Sequence, residues 1–111
     1  MIFGPTTGPR VEFNTADLGT ALETIVADQG SPVHIESVNF CNKTGSAVTV
    51  TLCKTEGASD FYYLDAVSIP ANEPYPFKDH AIVLSAGQTL RALAGTPDAI
   101  DVSVVGIQSV R

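Results

Sequence analysis

The chain is short of charge. Only 16% of its 111 residues are Asp, Glu, Lys or Arg, against roughly 25% in ordinary soluble domains. Its six basic residues, Arg10, Lys43, Lys54, Lys78, Arg91 and Arg111, are scattered among twelve acidic ones, for a net charge of −6. No basic stripe exists to displace counterions from phosphate, which argues against direct nucleic-acid binding. The same deficit disfavours an anionic membrane surface. No apolar run approaches the roughly 20 residues of a spanning helix. The first ten residues, Met-Ile-Phe-Gly-Pro-Thr-Thr-Gly-Pro-Arg, lack the basic and apolar regions of a signal peptide. The expectation is folding in a cytoplasm. A surface low in charge and rich in Thr, Ser and Ala points either to partial coverage by partner proteins or to an ordinary, rather neutral soluble domain.

Catalytic groups are equally scarce. The sequence has no Gly-rich phosphate loop and no Ser in a nucleophile-elbow context. His34 and His80 are its two histidines. Asp79-His80 has the composition of an acid–base pair, but neighbours in a strand point to opposite faces, so a surface turn is expected there. Asp60 and Asp65 flank an aromatic strand and read as solvated ends. A calcium site at Asp60 or Asp98 would lack oxygen donors, and the two cysteines have no further ligands at zinc spacing. The reading is a protein with no catalytic residues, no metal and no cofactor.

What the chain does have is alternation. Val38, Phe40, Val48, Val50 and Leu52 occupy every second position on either side of Asn42-Lys43-Thr44-Gly45-Ser46. Apolar side chains at period two share one face of a strand. The intervening segment has the residues of a hairpin connection, so a hairpin from Val33 to Leu52 or Cys53 is expected. Pairing Phe40 with Val48 would set Cys41 opposite Ala47 and Cys53 opposite Ile35, on the outer face and too far apart to bridge. Free thiols follow, in keeping with a reducing compartment. The outer face, with Asn39, Thr49 and Thr51, is nearly uncharged and is a candidate contact surface.

The same reading extends along the chain. Met1 to Arg10, with two Gly and two Pro, is expected to be flexible, either a disordered terminus or an arm able to lay Ile2 and Phe3 on a neighbour. A first strand is placed near Val11 to Phe13. Leu18, Leu22, Ile25 and Val26 have helical spacing, but Gly19 and the β-branched residues favour a strand from Glu23 to Ala27. Asp28 to Pro32 is a turn, Lys54 to Asp60 a polar loop, and Phe61 to Ile69 a strand stopped by Pro70. Pro70, Pro74 and Pro76 bracket an extended exposed loop. Ala81 to Leu84 is expected to pair with Thr89 to Ala94. Thr96 to Ala99 is a turn, and Ile100, Val102 and Val104 alternate in the last strand, with a bulge near Gly106. Seven or eight short strands make an all-β, antiparallel β-sandwich of jelly-roll type. Its division is an arm at residues 1–10 and one domain at 11–111. With 44% hydrophobic residues, such a domain has the material for a core.

The aromatics offer binding candidates. Tyr62 and Tyr63 face opposite sides of their strand, so one points outward. Tyr75 and Phe77 flank Pro76. Tyr63, Tyr75 and Phe77, together with Ile2 and Phe3, are the residues expected to bind partners. The first three could alternatively form a platform for sugar rings.

The order Ser-Val-Asn-Phe-Cys-Asn-Lys-Thr-Gly-Ser-Ala-Val-Thr-Val-Thr-Leu, a Pro-bounded loop, Ile-Val-Leu-Ser-Ala-Gly-Gln-Thr-Leu-Arg-Ala and Val-Ser-Val-Val-Gly resembles small β-sandwich structural proteins of tailed bacteriophages. The matching segments are Asn42 to Leu52 and Leu84 to Leu90, with Gln88 where Asp is usual, and the likeness runs from about Glu23 to Gln108. It implies a non-enzymatic virion component, such as a capsid decoration protein, a neck or tail accessory subunit or a fibre module. It also implies a homo-oligomer or symmetric array assembled in the host cytoplasm, with other virion proteins as partners. The alternative is a carbohydrate-binding sandwich module.

Overall fold

The computed structural model describes residues 9–78 and 82–108. Nine strands account for most of them: β1 Arg10–Thr15, β2 Glu23–Val26, β3 Val33–Asn42, β4 Val48–Glu56, β5 Ser59–Ile69, β6 Pro74–Phe77, β7 Ile82–Leu84, β8 Gln88–Ala94 and β9 Ile100–Gln108. There is no helix among the described residues, so none is long and apolar enough to cross a membrane. The β-branched residues from Thr24 to Val26 take the strand conformation over the helical spacing around them.

Two antiparallel sheets face each other. One has the order β1-β9-β3-β6, with β7 also on β3; the other has the order β2-β8-β4-β5. Strands β6 and β7 pair with successive parts of β3, Cys41 to Val38 and then Ile35 to Val33. They act as one interrupted strand, so the nine strands fill eight positions. Consecutive elements change sheet at every step except β4–β5 and β6–β7, which is the jelly-roll connectivity.

Two expected pairings are corrected by this topology. Strands β3 and β4 belong to different sheets, so residues 42–46 are a crossing and not a hairpin. None of them has positive φ. In the same way β7 pairs with β3 while β8 pairs with β2 and β4. The hairpin lies instead at β4–β5, where Glu56 pairs with Ser59 around the two-residue turn Gly57-Ala58. Gly57 has φ +60, the left-handed conformation that the first position of a tight hairpin turn requires. The expected polar loop is reduced to those two residues.

The proline-rich segment is a strand rather than an exposed loop. Pro74 and Pro76 pair with Cys41 and Asn39, while Tyr75 and Phe77 pair with Phe40 and Val38. A strand uses alternate N–H groups toward one neighbour. Prolines two apart on an edge strand therefore sacrifice no ladder bond. The bulge expected near Gly106 sits across from it, at Glu36 between Ile35 and Ser37. A Cβ on Gly106 would lie 2.7 Å from the carbonyl oxygen of His34, so the close approach of β3 and β9 demands glycine here.

The core lies between the sheets. Val38, Phe40, Val48, Val50 and Leu52 are all buried, as their alternation requires. Ile69, Ile82, Leu90, Ile100, Val102 and Val104 join them. Each large side chain taken fully from water contributes about 1.5–3 kcal/mol before entropy is counted. One polar residue is wholly buried at the edge of this core, Asn42. Its Nδ2 donates to the carbonyls of Ser46 at 2.8 Å and of Ile69 and Pro70 at 3.1 Å. Its Oδ1 accepts from the N–H and the hydroxyl of Thr44. With the Asn42 N–H on Glu73 O and the Asn72 N–H on Thr44 O, it locks the β3–β4 crossing to the β5–β6 connection.

Of the ten-residue arm expected at the N-terminus, residues 1–8 lie outside the described residues, and Arg10 is the first residue of β1.

Candidate interaction surface

Alternation assigns each strand residue to the core or to an outer face. On the five-stranded sheet Arg10, Glu12 and Asn14 of β1 stand in register with Ile107, Val105 and Ser103 of β9. Arg10 forms an ion pair with Glu36, and the Ser103 hydroxyl donates to Asn14 Oδ1 at 2.6 Å. A depression of about 460 Å³ is lined by Arg10, Val11, Glu12 and Val105. One ion pair, two apolar side chains and a single carboxylate do not assemble an acid–base or nucleophilic group.

At one end of the sandwich Lys43 Nζ meets Asp17 at 2.5 Å and Asp101 at 3.0 Å. The Asp17 N–H also donates to Asp101 Oδ1. That N–H, and then the Lys43 ammonium, hold the Asp101 carboxyl below the usual carboxylate range. The two carboxylates hold the Lys43 ammonium above its ordinary value. The cluster ties the β1–β2 and β3–β4 connections to the start of β9 at the surface. Among the described residues no group of three His, Cys, Asp or Glu is placed to hold a metal ion.

The four-stranded sheet presents a different outer face. Cys53 of β4 is in register with Tyr62 of β5 on one side and with Arg91 of β8 on the other, and Arg91 with Thr24 of β2. Thr24, Arg91, Cys53 and Tyr62 thus form one row across all four strands. Beside it, Thr55 is in register with Thr89 and Asp60, and the Thr55 hydroxyl donates to Asp60 Oδ1 at 2.7 Å. Cys53 is 0% exposed although it points away from the core, because short side chains on the central strand are covered by longer ones on its neighbours. Burial pushes the Cys53 thiol above its ordinary value, which keeps it protonated and unreactive. Cys41 is exposed on the other sheet; both thiols are free. They stay apart because they sit in different sheets, not because they face different partners in one hairpin. For the same reason Asn39 does not share a face with Thr49 and Thr51.

Among the described residues the most exposed large apolar side chains are Phe61, 51% exposed, and Tyr62, 56% exposed. Both lie on β5, just after the hairpin turn. The residues singled out from the sequence are placed otherwise. Phe77 is 7% exposed, and its ring lies 6.2 Å from that of Tyr63 at 51°. Tyr63 and Tyr75 are half-buried against the core, and burial raises the Tyr63 phenol. With Phe77 buried and tilted against Tyr63, these two rings do not present one flat surface. Ile2 and Phe3, like Asp79 and His80, lie outside the described residues. Of the neighbouring pair Tyr62 and Tyr63, alternation required one to point outward, and it is Tyr62. Arg91 could have been found by the same rule, since it stands between the inward Leu90 and Ala92.

No family model matches the chain, and no curated protein matches it in sequence. Solved structures match its fold. A capsid protein of Helicobacter pylori bacteriophage KHP30 aligns over 91% of this chain and 87% of its own, with a TM-score of 0.58 and 6% identity. The chain has the fold of phage capsid β-sandwich proteins. A pentameric capsid protein isolated from metagenomic phage sequences aligns over 89% of this chain with a TM-score of 0.54 and 17% identity. This chain spans 61% of that protein's length. The capsid-type sandwich also occurs in a disulfide-linked pilus of Bacillus endospores, over 99% of this chain and 97% of the pilus chain, with a TM-score of 0.52 and 9% identity.

Proposed function

We propose that the chain is a non-enzymatic structural protein of a tailed-phage virion that binds neighbouring capsid or tail subunits and so stabilises or decorates the particle. The observation that carries this reading is the fold shared with the KHP30 capsid protein over nearly the whole of both chains. The low charge is in keeping with it, because a sparsely charged surface loses little when a neighbour covers it. Its binding energy would come from a few aromatic side chains at the centre of each contact. Phe61 and Tyr62 are exposed for that task. Tyr63 and Tyr75 could add their exposed edges, and Ile2 and Phe3 would extend the contact along the N-terminus. Repetition on a symmetric particle would convert weak individual contacts into firm attachment.

The test is mass spectrometry of purified virions, combined with sedimentation of the purified chain with particles that lack it. Stoichiometric recovery in virions and binding to the depleted particles are expected. A chain absent from virions and unable to bind them would overturn the reading.

A further inference from the structure

Among the described residues, Arg91 is the side chain left unfinished. Its Nε is buried and has no hydrogen-bond acceptor. Of the two arginines among the described residues, Arg10 has a carboxylate partner and Arg91 has none. A guanidinium carries five N–H donors in a planar fork and cannot relieve itself by losing a proton. Burying the Nε–H without an acceptor is unfavourable, and an arriving carboxylate reverses that.

Its surroundings are built for contact. Cys53 forms a neutral, water-free floor between Arg91 and the exposed Tyr62 ring. Arg and Tyr flanking a dry floor are the residue types that dominate interface energetics. Charge identifies the occupant. The chain has twelve acidic residues against six basic ones. Glu12, Asp65, Glu73 and Asp98 are exposed and outside the ion pairs of the described residues. A second copy brings the carboxylates that Arg91 lacks.

We propose that the outer face of the four-stranded sheet is an interface with a second copy of this chain, in which Arg91 receives a carboxylate of that copy and Tyr62 buries its ring alongside. Where that carboxylate is Glu12, Glu73 or Asp98, all off this sheet, the contact joins unlike patches and propagates into a ring or array. The inference rests on the reading of the chain as an assembly subunit.

Sedimentation velocity of the full chain at low and high salt tests it. Self-association is expected, weakened by salt, and weakened about thirtyfold by Arg91→Gln or Tyr62→Ser, the size of a hot-spot truncation. Arg91→Lys should restore only part of the affinity, because an ammonium lacks the fork. Circular dichroism establishes that each variant is folded. A wild-type chain that stays monomeric at millimolar concentration overturns the proposal, as do folded variants that associate like wild type, or a face that binds only a different virion protein. Incorporation of Arg91→Gln into virions at wild-type level would remove this interface and leave the virion reading standing. Arg91-dependent association of a chain absent from virions would do the reverse.

Discussion

The two connections on either side of β4 look alike as sequence and differ in every physical respect. Residues 42–46 carry the polar, turn-forming composition of a hairpin, yet they take the chain from one sheet to the other and are pinned by a buried side chain. Gly57-Ala58 sits within a stretch that reads as a loose polar loop, yet it closes the one tight hairpin between paired neighbours in the four-stranded sheet. Turn chemistry reports that a chain reverses. It does not report whether the returning strand joins the same sheet or the opposite one, because both outcomes satisfy the local backbone equally. Asn42 shows which outcome holds, since its amide reaches carbonyls 27 and 28 residues away.

This contrast can be broken experimentally. The largest effect is expected from Asn42→Asp, which exchanges a donor for a carboxylate oxygen facing three carbonyls. A loss of about 4 kcal/mol in urea unfolding is expected, and a loss below about 1 kcal/mol would show that the crossing is not pinned as described. Gly106→Ala should cost about 2–3 kcal/mol, because its Cβ meets backbone that can yield only by parting β3 from β9. Gly57→Ala meets nothing within 4 Å and pays only for its positive φ, about 1 kcal/mol. If Gly57→Ala proved costlier than Asn42→Asp, the ranking of the two connections would be reversed.

The smallest effect is electrostatic. Asp28 is held below the usual carboxylate range by the N–H groups of Gly30 and Gly87, and Asp101 by the Asp17 N–H and Lys43. A depressed carboxylate contributes stability that is complete above its unfolded pKa and is lost as pH falls through the folded one. Lys43 is raised, so its contribution is complete below its unfolded pKa and is lost as pH rises through the folded one. The melting temperature should therefore be flat around neutrality, fall gently below about pH 4 and again above about pH 10. Asp101→Asn should make the acid limb shallower. An acid limb unchanged by that substitution would assign it to other carboxylates.

Much of the fold was legible residue by residue. The period-two spacing of Val38 and Phe40, of Val48, Val50 and Leu52, and of Ile100, Val102 and Val104 places all of them in the core. Pro70 ends β5 as expected. The aromatic surface was less legible. Adjacent Tyr62 and Tyr63 must diverge, but the choice between them depends on bulges in the β4–β5 register, and no local pattern encodes those. Tyr75 and Phe77 next to prolines read as exposed until β3 is seen to pair with them and turn both rings inward.

By itself the sequence determined that the chain is all β, which residues line its core, and that it carries little charge, since these depend on side-chain chemistry at neighbouring positions. Tertiary structure alone decided which strands are partners. It carried residues 42–46 across the sandwich, made the proline segment an edge strand, and left the Arg91 Nε buried without an acceptor in the row that ends on Tyr62. Each of these depends on contacts between residues far apart in the chain, and alternation along one strand cannot name the strand beside it.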